Sequence, residues 1–372
     1  MPRALTLLLT LSLLCACNLP APAPALAIPT ASPAATAAPT DAPAAPASTG
    51  YITFAINVHD WMHADQSADT LLRLVDLFEK YHVRGDFYFT PEVVRQYASE
   101  HPEVIERFKN SNMTISYHIR PPHPLYAGFD ERLKGLSDAE LEQTLRDYET
   151  YALDLSTGEL DRSRPGGYSY VAQVFGTHPV VASAPSDNAR LREIGQKVYA
   201  SLGAQMTLMY HESGAKIEQP FETINGLLVR PSDFSVTRVT AINNSENFWW
   251  NYMISPEAAR YNPTALLKSQ LAEWESHQYG RAPFITVLIH ENNYYRSGAE
   301  SWSAIYFKME KGRKTDPLAP PYNLNAPDPS KLRSEADREA IFAAYEELVA
   351  CAAANLSVVT SADLLQLAGQ AQ

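Results

Sequence analysis

Three short runs in this chain end in side chains that can hold a metal or move a proton. Tyr51 to Val58 is an apolar, β-prone stretch that stops at His59-Asp60; Met113 to Tyr117 runs into His118; and Phe284 to Ile289 runs into His290. Imidazole and carboxylate at such positions suit water activation, either directly as acid and base or around a bound ion. Residues just past the carboxyl ends of parallel strands converge on one face of an α/β barrel, so Asp60, His118 and His290 are expected to meet despite their separation in sequence.

The elements needed to place them are visible as alternating patterns. After the first strand, Ser67 to Tyr81 carries apolar residues at helical spacing, and a strand follows at Arg84 to Phe89. Pro91 and Pro102 read as first-turn prolines of two helices. Ser137-Asp138-Ala139-Glu140 reads as a capping box opening a helix through Leu153. Further strands are expected at Pro179 to Ala184, Ala204 to Tyr210, Gly226 to Arg230, Phe284 to His290 and Leu356 to Val359. This alternation predicts an α/β fold, a distorted parallel β/α barrel over residues 51–372. The stretch of about 188–281 exceeds one β/α unit and reads as an insertion, with the aromatic run Phe248 to Tyr252 inside it.

With 372 residues, 45% of them hydrophobic, the chain can bury a large core without staples. A formal charge of -12 and a pI near 5.3, with no dense basic run, exclude a phosphate-tracking surface and hence nucleic acid as partner. A polysaccharide or other glycan suits this balance better. At the amino terminus Arg3 precedes the apolar run Leu5 to Leu14, too short for a permanent span, which predicts an export signal over 1–17. Leu14-Cys15-Ala16-Cys17 resembles the bacterial lipobox, and that resemblance makes Cys17 the lipidated first residue of a membrane-anchored extracytoplasmic lipoprotein. Residues 18–50 are almost wholly Ala, Pro, Thr and Ser, the composition of a tether. At about 3 Å per residue it would reach roughly 100 Å from the membrane. Of the three cysteines two lie in the signal, so no disulfide framework is expected, and Cys351 reads as a small apolar residue on a helix.

The order of these motifs resembles the polysaccharide deacetylase (NodB-type) family over roughly residues 51–367. The resemblance pairs His59-Asp60 with the family's first motif, of general base and metal ligand, with His59 standing where the family has a carboxylate. It pairs His118-Ile119-Arg120-Pro121-Pro122-His123 with the two-histidine second motif, one residue longer here. Arg164-Pro165-Gly166-Gly167-Tyr168 matches the third, groove-lining motif, Asp187 falls near the fourth, where a carboxylate steadies a catalytic partner, and Leu288-Ile289-His290 matches the fifth. It implies a metal-dependent hydrolase that removes N- or O-acetyl groups from an envelope or extracellular carbohydrate. Asp60, His118 and His123 would hold a divalent metal, zinc by donor type, with His211 as alternative third ligand. His59 would take the proton of the attacking water and His290 would protonate the leaving group. Two other readings stay open. One is a catalytically degenerate carbohydrate-binding lipoprotein. The other is a glycosidase, for which Asp187, Asp233 and Glu291 are the carboxylates to examine.

Overall fold

The computed structural model describes residues 50–208, 219–235 and 262–371, so Cys17, His211 and the aromatic run Phe248 to Tyr252 lie outside the described residues. At the centre is β1 (Tyr51–Val58), parallel to β2 (Asp86–Phe89), which is in turn parallel to β3 (Thr114–Tyr117). On its other side β1 pairs in parallel with β10 (Phe284–His290), and β10 pairs with β9 (Phe234–Ser235). A short strand at Ser357–Val358 also joins the start of β1.

Alternation along these strands sorts the core. Ile52, Phe54, Ile56 and Val58 of β1 join Phe87 and Phe89 of β2 and Ile115 and Tyr117 of β3 in one apolar cluster with the surrounding helices. Ala55 and Tyr88, on the opposite parity, join Val181, Met206, Leu228 and Phe284 in a second cluster. Both faces of the sheet are therefore buried, the usual condition of a parallel sheet. Each fully buried Phe or Ile contributes about 2 kcal/mol through area removed from water.

The helices that cover the outer face start where their sequences say they should. Helix α1 (Ala64–Lys80) buries Leu71, Leu74, Val75 and Phe78 along one stripe. Helix α2 (Pro91–Glu100) has Pro91 in its first turn and Thr90 accepting the Val93 N–H, and α3 (Pro102–Lys109) opens on Pro102. Helix α4 (Asp138–Tyr148) carries the full Ser137–Glu140 capping box. It stops at Tyr148 rather than Leu153, because Tyr151–Leu153 leaves as β4 and pairs antiparallel with β5 (Leu160–Pro165).

The ring continues past β3 by main-chain hydrogen bonds rather than by a long strand. Val180 N–H donates to Ile115 O at 2.9 Å and Tyr117 N–H to Val181 O at 2.8 Å. After α5 (Gly167–Phe175) and α6 (Ala189–Leu202), β6 (Met206–Thr207) bridges to Val181 and pairs with β8 (Leu227–Val229), itself paired with β7 (Glu222–Ile224). Among the described residues no ladder joins β8 to β9, so strand pairing leaves the ring open there. The region 188–281, expected as an insertion, thus supplies α6, β6, β8 and β9 to the ring itself.

Candidate active site

Register places the strand ends level with one another. Asn57 pairs with His290, Val58 with Phe89, and Phe89 with Tyr117. The ladder then runs one step further, with Thr90 N–H donating to Val58 O at 3.0 Å and His118 N–H to Phe89 O at 2.9 Å. His59, His118 and His290 carry the parity of Ala55, Ser116 and Leu288, the inward one, and their rings gather at the mouth. The His59 ring lies 4.6 Å from that of His290, edge-on, and 6.3 Å from that of His118.

Asp60 and Glu291 have the other parity and turn away. Glu291 Oε1 accepts the backbone N–H of His59 at 2.6 Å and of Asp60 at 2.5 Å, clamping the end of β1 to the end of β10. Burial and the nearby Asp60 charge push the Glu291 carboxyl up to about 8, so it keeps its proton at neutral pH. The Asp60 carboxylate accepts from Tyr295 Oη at 3.0 Å and from Ser301 Oγ at 2.6 Å, and burial raises its pKa.

Inside the mouth burial holds two of the imidazoles toward the neutral form. Burial, then Arg120 and the other histidines, holds His59 well below its ordinary value, and burial followed by Arg120 does the same for His118. Trp302 Nε1–H donates to His59 Nδ1 at 3.4 Å, which assigns the ring proton to Nε2. Arg120 Nη2 donates to His290 Nε2 at 3.4 Å. Lys314 comes in from the hairpin of Phe307–Glu310 and Arg313–Pro317 and pairs with buried Glu300 at 3.1 Å. Burial pushes Glu300 up, yet Lys314, Arg120 and His290 hold it at about 2. The His59 and His118 Nε2 atoms and Arg120 Nε are buried without a hydrogen-bond partner among the described residues. Buried polar groups left unpaired this way await a ligand or water.

The other expected site residues lie elsewhere. His123 takes the Leu125 N–H on Nδ1 at 3.1 Å, and its Nε2 lies 3.1 Å from Glu149 Oε1. Glu149 is fully buried and also accepts from Tyr199 Oη at 2.7 Å and from Tyr168 N–H at 3.0 Å. Burial would raise that carboxyl, but His123 and the tyrosines bring it below its ordinary value. Arg164 is exposed, 3.9 Å from Asp161, and lines a cleft of about 380 Å³ with Trp61, Glu92 and Arg95. The glycines after it answer a steric demand: a Cβ on Gly166 would lie 2.2 Å from Tyr151 O, and one on Gly167, at φ +56°, would lie 2.3 Å from the Glu149 Cα. Asp187 is exposed ahead of α6. Asp233 pairs with Arg281 at 2.6 Å and accepts the Phe284 N–H at 2.7 Å, so it serves the sheet. No two of the three acids weighed for glycoside hydrolysis face each other across the mouth.

The expected metal ligands therefore do not assemble. Asp60 is turned outward and occupied by Tyr295 and Ser301, while His123 takes the Leu125 N–H on Nδ1 and turns its Nε2 toward Glu149. Among the described residues no group of three His, Cys, Asp or Glu is placed to hold an ion. The parity of Asp60 was readable from the sequence, since it matches Val58 and not Asn57. Arg120, Glu300, Trp302 and Lys314 carried no such signal: Lys314 sits in a charged turn that reads as solvated surface.

The chain is similar to polysaccharide deacetylases of known structure. A protein of Mycobacterium smegmatis designated a polysaccharide deacetylase is 16% identical, with 89% of this chain and 93% of that chain covered and a TM-score of 0.46. One of Pseudomonas aeruginosa PAO1 with the same designation is 11% identical, covering 86% and 90%, at a TM-score of 0.45. The peptidoglycan deacetylase PdaC of Bacillus subtilis is 12% identical, covering 86% and 92%, at a TM-score of 0.35. No family model matches the chain, and no curated protein matches it. Likeness at these scores carries no argument about the site. The α/β architecture rests on the chain's own parallel ladders, and the chemistry on its own side chains.

Proposed function

We propose that the chain is a hydrolase that removes acyl groups from a carbohydrate outside the cytoplasm, working at the His59, His118 and His290 mouth. The observation that carries the reading is the collection of buried imidazoles beside Arg120 and Lys314 at aligned strand ends. His118 takes a proton from a water attacking the acyl carbonyl, the His59 Nε2–H and Arg120 meet the oxygen that becomes negative, and the imidazolium returns the proton to the leaving amine or alkoxide. The acyl group departs as a carboxylate next to two cations. No step is routed through the zinc that the motif order implied, because Asp60 and His123 are committed elsewhere. Export and a lipid anchor at Cys17 belong to the same proposal and place the substrate in the envelope or beyond it.

The test is acetate release by the full chain, in detergent, from acetylated chitin oligomers, peptidoglycan and acetylated xylan. Release from one of them, persisting after exhaustive chelation and lost in His118→Ala, is the expected result. Release abolished by chelator and restored by zinc would overturn the imidazole route. No release from any acetylated glycan, with the chain folded, would sink the hydrolase and leave a carbohydrate-binding protein. That second reading is favoured by the absence of a carboxylate base on the inward parity of β1.

A further inference from the structure

Two cations surround one carboxylate at the mouth. The Arg120 guanidinium lies 5.9 Å from the ring centres of Trp302 and Tyr126, and Lys314 Nζ lies 5.1 Å from Trp302 on the same indole. Glu300 faces both, and Lys314 is its ion-pair partner. Among the described residues Arg120 makes no ion pair, donates only to His290, and keeps its Nε–H without a partner. The side chain of Lys314 is 22% exposed, so the cations form the rim through which a ligand enters. Three groups at this rim are donors: His59 Nε2–H, Arg120 Nε–H and the Lys314 ammonium. In a chain of formal charge -12 this is a local excess of positive charge that the described residues leave uncompensated. Partly buried, uncompensated charge is costly unless an anion arrives to pair with it.

We propose that this rim recognises a carboxylate carried by the sugar itself, so that the substrate class is an acidic, uronate-type glycan. The planar fork of Arg120 matches the two oxygens of a carboxylate. Lys314 adds a second, point-like charge at the entrance. The oxyanion of the proposed reaction needs one of these groups, and the other is left to select the substrate. The inference rests on the mouth being the site of the proposed reaction.

The test uses probes without any acyl group, so that recognition is read independently of turnover. Titration calorimetry on the full chain would compare a galacturonic acid trimer with a neutral galactose trimer at low salt, with inorganic phosphate as a third ligand. The expected result is at least tenfold tighter binding of the uronate, weakened by added salt and reduced at least tenfold in both Arg120→Gln and Lys314→Gln. Glu300→Gln is expected to shift affinity the other way, tightening uronate binding severalfold. Each variant's thermal melt checks that it folds, and Lys314→Arg keeps the charge and is expected to keep the preference if Lys314→Gln fails to fold. Equal affinity for the two trimers, or a preference untouched by all of these substitutions, overturns the proposal. Phosphate binding as tight as the uronate would show a general anion site and overturn it too. If uronate discrimination holds while no acetylated glycan yields acetate, the hydrolase reading falls and the acidic-glycan site stands; the converse outcome removes only the present inference.

Discussion

Two buried clusters in this molecule use the same residue types to opposite ends. At the mouth, His59, His118 and His290 stand with Arg120, Trp302 and Glu300, and ring nitrogens of His59 and His118 have no partner among the described residues. On the outer side of β3, His123 stands with Glu149, Tyr168 and Tyr199, and the carboxylate there accepts from a backbone N–H and a phenol while facing an imidazole. Histidine plus acid plus aromatic is thus no guide to chemistry. What separates the two is what the acid does: Glu149 is fully buried and gathers a backbone N–H, a phenol and His123 around itself, whereas Glu300 at the mouth pairs with a partly exposed lysine at the way in.

If the contrast holds, substitutions should split cleanly between activity and stability. The largest effect is expected from His118→Ala, which should cut acetate release about a thousandfold while moving the melting temperature little; an equal fall in both would erase the distinction. Glu149→Ala should do the reverse, destabilising the fold by about 4 kcal/mol, because it strands buried partners in Tyr168, Tyr199 and His123. Urea unfolding checks it, and a loss below about 1 kcal/mol would show that the network contributes little.

A third buried acid sharpens the comparison from the opposite end of the strands. Asp86, at the start of β2, accepts Ser361 N–H at 2.9 Å and Ser361 Oγ at 2.6 Å, and burial pushes its pKa from 3.8 to about 6. The raised value means the folded state holds the proton more tightly than the unfolded one. Its contribution is therefore best below pH 3.8, falls as pH rises to about 6, and is flat above. Measured against Asp86→Asn, which cannot ionise, wild-type stability should fall by about 3 kcal/mol across that window. A parallel pH profile in the two proteins would refute the assignment. The smallest effect is expected for His123→Gln, about 1 kcal/mol of stability, with acetate release per folded molecule unchanged. Loss of activity there would return His123 to the catalytic centre.

Much of the architecture was legible because it rests on local rules. The run to Val58, the prolines at 91 and 102 and the Ser137 box each mark an element by its own chemistry, and all three strand-end histidines fall where the strands end. The helix expected through Leu153 shows where local rules stop. Tyr148 ends it because the chain must turn under the Gly166-Gly167 pair, a contact between residues far apart in sequence. The ligand set failed for a similar reason. Spacing brought Asp60 and His123 near the right strand ends, but parity and a proline-bearing loop decided where their side chains face. Lys314 and Glu300 were invisible because only the packing of a hairpin against Trp302 makes them neighbours.

The glycines at 166 and 167 bear on how descendants of this chain would look. Neither position tolerates a side chain against the Tyr151 and Glu149 backbone, so selection for folding alone retains both. A lineage that lost every imidazole at the mouth would still carry them. A search for relatives keyed to this Arg-Pro-Gly-Gly stretch would therefore gather working and silent copies alike, whereas the residue at position 118 would sort one from the other.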